Sequence, residues 1–295
     1  MGIGVARLST LQNRTALITG ASRGLGAQIA DSFWSAGANL ILVARSADPL
    51  GQLATGLPKR AEQRIVTIVA DLGDPDAPEQ ILAEARRQFD SLNVLVNNAA
   101  IQGPIGLLWQ NDWVEWQSTI QVNLLAPVAL CRLCVPWMSS HSQRSKIINL
   151  SGGGGTGPRP NLSAYATAKS GLIRFTETLA EELHELIDVN CIAPGAMNTA
   201  MLESLLAAGP ESAGQKEYAQ AIKVRDSGGS DPARAAALCV FLASVASDGI
   251  TGKLISAVWD PWEHFLEHLE DLQRTDIYTL RRIVPKDRGQ SWGDL

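Results

Sequence analysis

Between Arg14 and Trp34 an apolar run, Arg14-Thr-Ala-Leu-Ile18, passes through Thr19-Gly-Ala-Ser-Arg-Gly-Leu-Gly26 into a helical stretch from Ala27. Strand, glycine turn and helix in immediate succession leave few folds open, because the turn brings a buried strand directly onto a helix N-terminus. The glycines, spaced Gly20-x-x-x-Gly24-x-Gly26, let backbone N–H groups approach a phosphate where the helix dipole favours anions.

The same alternation continues. Asn39–Ala44 is a second strand, Ile65–Val69 a third ending at Asp71, and Asn93–Val96 a fourth followed by Asn97-Asn-Ala-Ala100. Helices are expected at 75–89 and at 112–138, where Pro127 predicts a kink or break. Lys146–Leu150 is a fifth strand, a helix opens at Ser163 and runs to about Leu186, and Asp188–Ile192 is a sixth strand ending in Ala193-Pro-Gly-Ala-Met-Asn-Thr199. Residues 200–230, with five glycines and prolines, read as a long lid-like or binding loop, before a helix at 232–246 and a seventh strand at 253–258. Strands alternating with helices imply an α/β fold, a parallel sheet with helices on both faces. A length of 295 residues suits one large domain at 1–258, leaving an extension at 259–295 in which 261–272 reads as an amphipathic helix.

Composition narrows the classes. Apolar content of 45% with 19% charged residues fits a globular protein with a substantial core, and a net charge of −5 argues against a nucleic-acid partner. No uninterrupted apolar run reaches membrane-spanning length, so no membrane partner is expected. Four cysteines without paired clusters, and a start (Met1–Thr10) without an export-type apolar segment, lead to the expectation of a cytoplasmic protein. Cys131-x-x-Cys134 lacks a second pair, and His264-Phe-Leu-Glu-His268 lacks a third ligand, so no metal site is expected.

The chemistry concentrates at Ser151-Gly-Gly-Gly-Gly-Thr-Gly-Pro-Arg-Pro-Asn-Leu-Ser-Ala-Tyr-Ala-Thr-Ala-Lys169. Tyr165 and Lys169 are four residues apart on a helix and share a face. A cation beside a phenol favours phenolate, so Tyr165 can pass a proton to or from a carbonyl oxygen near neutral pH. Ser151 is placed to hydrogen-bond the same oxygen. At the tip of the second strand Arg45 follows the neutral Ala44, with Arg23 in the glycine turn. Two cations and no acid there favour NADP(H) over NAD(H).

Taken in order, Thr19–Gly26, Asp71, Asn97–Ala100, Asn123, Ser151, Tyr165-x-x-x-Lys169 and Pro194-Gly195 with Thr199 resemble the classical short-chain dehydrogenase/reductase family over about Arg14 to Val258. The resemblance implies a Rossmann-like, doubly wound, predominantly seven-stranded parallel sheet. It implies Tyr165 as general acid/base, Lys169 holding the nicotinamide ribose, Ser151 orienting the carbonyl and Asn123 anchoring a water relay. It implies cofactor contacts from Gly20, Ser22, Arg23, Gly24, Leu25, Gly26, Arg45, Asp71, Leu72, Asn98, Ala99, Pro194, Gly195 and Thr199, besides Tyr165 and Lys169, and support of the sheet edge by Asn97. The implied activity is hydride transfer between NADP(H) and a carbonyl or secondary alcohol, in a homodimer or homotetramer built on the two long helices. One position departs: the family's serine lies thirteen residues before its tyrosine, where this chain has Gly152. Either Ser151 serves from one residue further out, which is favoured, or no residue fills the role; the second case motivates an alternative reading as an NADPH-binding sensor or scaffold. Trp109, Trp113, Met197, Met201 and Leu202 are candidate walls for an apolar substrate, or else packing residues.

Overall fold

Strands buried on both faces read as continuous apolar runs rather than alternating ones. β1 (Thr15–Thr19), β4 (Val94–Asn97) and β5 (Ser145–Leu150) are buried throughout, and β2 (Asn39–Ala44) and β6 (Ile187–Ala193) nearly so. β3 (Ile65–Val69) is partly exposed and β7 (Leu254–Ser256) is short, as befits edges. In the computed structural model, which describes residues 10–292, these form one wholly parallel sheet in the order β3-β2-β1-β4-β5-β6-β7. The reversal of strand order between β1 and β4 opens the crevice in which such sheets take ligands. The expected doubly wound α/β architecture is thus the observed one. The reading of Met1–Ser9 as free of an export signal lies outside the described residues.

Side chains alternate across the sheet and separate two cores. Ala16 and Ile18 face the layer holding α1 (Gly24–Ser35) and α9 (Pro232–Ala243), where Ile29, Phe33, Leu238 and Phe241 are buried. Leu17 faces α3 (Ala77–Gln88), α5 (Ala126–Met138) and α6 (Ser163–Glu182), among Ile81, Leu130 and Leu179. Cys131 and Cys134 belong to this second core, where burial pushes the Cys134 thiol up to about 12.

Three expectations change. The helix at 112–138 does not break at Pro127. α4 (Trp113–Ile120) continues through a single π turn at Gln121–Leu125 into α5, because Pro127 has no N–H for the carbonyl of residue 123 and the widened turn absorbs the mismatch. Trp113–Met138 is also, among the described residues, a helix of membrane-spanning length and mean hydropathy, although polar residues interrupt every long apolar run in it; 44% of its apolar 18-residue window is buried within the protein. Residues 200–230 are helical rather than loop. α7 (Ala200–Ala213), broken at Gly209, and α8 (Gln215–Ser227) bury Leu205, Ala213 and Ala221 against Leu162. Gly209 and Gly214 adopt φ of +73° and +83°, so the glycines taken as loop formers are the breaks between helical pieces. Finally, 261–272 is a 3₁₀ segment, Trp262–His268, followed by the short α10 (Leu269–Arg274).

This extension shares the core. Trp262, Phe265 and Leu272 are buried in the same cluster as β1 and α9, with the Trp262 ring 6.0 Å from Phe241. Beyond α10 the Leu254 N–H donates to the Tyr278 carbonyl at 2.8 Å and the Leu280 N–H to Glu177 Oε1 at 2.6 Å, tying the tail to β7 and α6. Removing a buried indole costs about 3–5 kcal/mol. Trp262→Ala is therefore expected to lower the unfolding free energy by that amount, read in urea as a lower midpoint in a single transition; a wild-type midpoint would show that the tail is not part of the cooperative unit.

Candidate active site

The sequence-predicted cofactor residues gather at one edge of the sheet, just past the C-terminal ends of β1 to β6. A Cβ on Gly26 would lie 2.1 Å from the Gly20 carbonyl oxygen, and one on Gly20 would lie 2.8 Å from Ala99 Cα, so both close approaches require glycine. Asn98 staples the turn, donating through Nδ2 to the carbonyls of Thr19 (3.0 Å) and Gly20 (3.2 Å). Thr19 Oγ1, which sequence reasoning passed over, accepts from the N–H groups of Asn98 and Ala99 at 3.0 and 3.1 Å. α1 begins beside this turn with no side-chain cap and no acid in its first turn, leaving its N–H groups and dipole to an anion. Arg23 and Arg45 are both exposed beside the turn, whereas Ser22 is half-buried and Leu25 buried. Asp71, exposed after β3, accepts from the Gly73 N–H at 2.9 Å, with Leu72 buried next to it. At the end of β6, Pro194 is buried, Gly195 has φ of +92° and Thr199 begins α7. These residues fit a dinucleotide: glycines for close approach, an uncapped helix N-terminus for the pyrophosphate, and cations at the β2 tip.

The catalytic candidates lie one strand over. α6 carries Tyr165 and Lys169 on a single face, both buried. Lys169 Nζ donates to the Leu150 carbonyl at 2.7 Å and stands 5.8 Å from the centre of the Tyr165 ring. Asn123, in the π turn, is buried with both amide ends engaged, accepting from the Ile101 N–H at 2.9 Å and donating to the Ile101 carbonyl at 2.8 Å. It pins the loop after β4. Beneath it Asn97 donates to Asn149 (2.8 Å) and Asn149 to Thr176 (2.8 Å), linking β4, β5 and α6 through the core.

The structure sets Ser151 apart from the Tyr165 hydroxyl. Ser151 Oγ is buried, makes no oxygen or nitrogen hydrogen bond and faces Gly155 and the Cys191 thiol, so it does not reach the Tyr165 hydroxyl. The residue beneath that hydroxyl is Gly152, where a Cβ would lie 2.5 Å from it. The alternation of side chains along the end of β5 sends position 151 to one side and position 152 to the other, and glycine pliability does not overcome it. Burial raises the Tyr165 phenol pKa, opposed by the charge of Arg159. The Arg159 guanidinium lies 5.8 Å from the ring centre and is held by Glu217 of α8, Nε to Oε2 at 2.9 Å. The only sequence signal for it was a cation between two prolines in an otherwise uncharged glycine loop. Of the candidate pocket walls, Trp109 is 78% exposed, and Trp113 is exposed and stacks on Trp116, whose Nε1 donates to Ser163 Oγ at 3.1 Å. Leu202 packs with Leu205, Met197 against the first core, and Met201 is half-buried.

Burial lowers the Lys169 pKa from 10.5 to about 8. Between those values the unfolded chain holds the proton and the folded one has released it, so this group's contribution to stability rises with pH across that window. Lys169→Met removes the dependence. Relative to wild type, the variant's stability is expected to fall by on the order of 2 kcal/mol between pH 7 and pH 10. Paired urea midpoints of the cofactor-free proteins check this, and a pH-independent difference would contradict it.

The short chain dehydrogenase family profile matches residues 14–209. An uncharacterized oxidoreductase of Mycobacterium tuberculosis is 35% identical over 245 residues, covering 83% of this chain and 90% of the relative. The 3-oxoacyl-[acyl-carrier-protein] reductase FabG of Chlamydia trachomatis is 32% identical, covering 83% and 96%. Among solved structures, a short chain dehydrogenase of Salmonella enterica serovar Typhi superposes with a TM-score of 0.71 at 28% identity, over 85% of this chain and 98% of the other. One from Shigella flexneri complexed with NADP gives 0.72 at 26%, over 85% and 99%. With the parallel sheet, the glycine turn and the Tyr165–Lys169 pair in their places, the chain belongs to the short-chain dehydrogenase/reductase family of oxidoreductases.

Proposed function

We propose that this protein is an NADPH-dependent carbonyl reductase, transferring hydride between NADP(H) and a ketone or secondary alcohol with Tyr165 as general acid/base. The observation that carries the reading is the buried Tyr165 phenol, on one helical face with Lys169, at the sheet edge that holds the glycine cradle. When bound, NADPH supplies hydride to the carbonyl carbon. Tyr165 gives its hydroxyl proton to the carbonyl oxygen as charge develops there, and takes one back in the oxidative direction. Lys169, with one donor on Leu150 and two to spare, holds the nicotinamide ribose and steadies the phenolate left behind. Asn123 keeps the loop after β4 in place and contributes to the proton path behind Lys169. Gly20 to Gly26, Asp71, Leu72, Asn98, Ala99, Pro194, Gly195 and Thr199 bind the cofactor.

Preference for NADP(H) is supported by Arg23 and Arg45 with no acid beside them, and by the NADP complex of the Shigella flexneri relative. The Chlamydia trachomatis relative, named for a 3-oxoacyl substrate, makes β-keto esters the first class to assay. The reading includes a homodimer or homotetramer, supported by the exposed Trp113, Val114 and Leu125 on the α4–α5 face, and a cytoplasmic setting, supported by four cysteines that are all buried and free. The alternative, a cofactor-binding sensor without turnover, is favoured only by Gly152.

The test is NADPH oxidation with ethyl acetoacetate and a panel of ketones, quinones and keto-sugars. Tyr165→Phe is expected to lose at least about 10²-fold in turnover, the usual scale for a lost general acid, while still binding NADPH; undiminished turnover would sink the acid/base role. Binding of NADPH with no turnover across the panel would favour the sensor. Arg45→Asp is expected to move cofactor preference toward NADH by about tenfold or more, the scale of one lost ion pair plus an introduced repulsion. An unchanged NADPH/NADH ratio of kcat/KM would show that Arg45 does not read the 2′-phosphate.

A further inference from the structure

The Tyr165 ring has two cations near it, Lys169 Nζ and the Arg159 guanidinium, each 5.8 Å from its centre. Lys169 comes from the same helix and spends one donor on the Leu150 carbonyl. Arg159 comes from the glycine loop and is oriented by another element altogether. Its Nε and Nη2 both meet Glu217 Oε2 at 2.9 Å, and the two side chains are about equally shielded, 22% exposed each. The guanidinium lies over Gly153, where a Cβ would sit 3.5 Å from Nη1, and next to Gly152, the residue beneath the Tyr165 hydroxyl. The loop under it is fixed, since Ser170 Oγ on α6 reaches the carbonyls of Gly154 and Gly155, both at 3.1 Å. Arg159 thus has a defined position beside the Tyr165 ring, with Nη1 donating to the Gly153 carbonyl at 3.5 Å and keeping one further N–H.

We propose that Arg159 is a positioning residue of the reduction site: held over the Tyr165 ring by Glu217, its guanidinium steadies negative charge on the phenol oxygen and on the substrate oxygen beside it, in the place where Gly152 offers no side chain. This rests on the assignment of Tyr165 as the proton donor. Lys169 and Arg159 are the charged groups facing the phenol. Glu217 faces Arg159 from α8, and Cys191 on β6 faces Lys169. Glu217 has two opposed effects: it orients the guanidinium and it offsets the charge. α8 therefore governs the site through one ion pair. Burial alone would leave the phenol a poor proton carrier, and the charge of Arg159 acts against that burial.

The two ends of the ion pair give opposite signs, which loosened packing does not. Tyr165 is titrated in the cofactor-free protein by phenolate absorbance, as the difference from Tyr165→Phe, over the pH range in which far-ultraviolet circular dichroism stays native. Arg159→Gln is expected to move the Tyr165 midpoint up, Glu217→Gln to move it down, and Arg159→Lys to recover most of the first change. A variant whose Tyr165 fails to titrate before unfolding, where wild type does titrate, counts as an upward shift. Unchanged midpoints, shifts of the same sign in both variants, or a wild-type phenol that never titrates before unfolding would overturn the proposal. With ethyl acetoacetate and NADPH, Arg159→Gln is expected to lose about tenfold in kcat, with less change in KM and with its pH profile displaced in the same direction as the midpoint. If Tyr165→Phe keeps wild-type turnover, the acid/base reading fails while the titration still decides Arg159. If Tyr165→Phe is inert and Arg159→Gln is wild-type in midpoint and kcat, only the present proposal fails.

Discussion

The approach of Gly26 to Gly20 sets the rest of the molecule in place. No side chain fits between them: a methyl group on Gly26 would lie 2.1 Å from a backbone oxygen. That contact presses the N-terminus of α1 against the end of β1 and leaves its N–H groups directed out of the sheet edge. Asn98 and Thr19 then fasten the end of β4 to the same turn. Because the sheet is wholly parallel, every strand ends at this edge, and each delivers its first loop residues to the same crevice.

A second layer of polar contacts carries order from that crevice to the chemistry. Asn97, Asn149 and Thr176 form a buried chain from β4 through β5 to α6, and α6 holds Tyr165 and Lys169. Buried amides keep such an arrangement only when their partners are present, so the chain specifies one register among strand ends and helix. The π turn does similar work, turning Asn123 inward so that both ends of its amide meet Ile101. Tyr165, Lys169 and Asn123 are thus mounted on elements rather than loops, while the Gly152–Asn161 loop and α8 bring Arg159 and Glu217 to them from outside the sheet.

The extension after β7 belongs to the same body. Trp262, Phe265 and Leu272 complete the core beneath α9, and residues 278–280 bind the edge of β7 and Glu177 on α6, the helix of Tyr165. A segment outside the family profile's matched region is therefore bonded to the helix that carries Tyr165 and Lys169.

Much of this was legible without coordinates. Seven apolar runs separated by helical stretches and a glycine turn determine a parallel sheet, because strand length, side-chain period and turn chemistry are local properties. The i, i+4 spacing of Tyr165 and Lys169 places both on one face whatever surrounds them. Other features were decided only by tertiary structure. Which way Ser151 points depends on how β5 ends against β6 and Cys191. Whether glycines at 209 and 214 make a loop or separate two helices depends on apolar partners such as Leu162. The charge that acts against burial at the Tyr165 phenol comes from Arg159, fixed by a glutamate 58 residues away in the chain. Local pattern determines which elements form; direction, burial and electrostatic balance depend on residues distant in sequence, and only the folded chain brings those together.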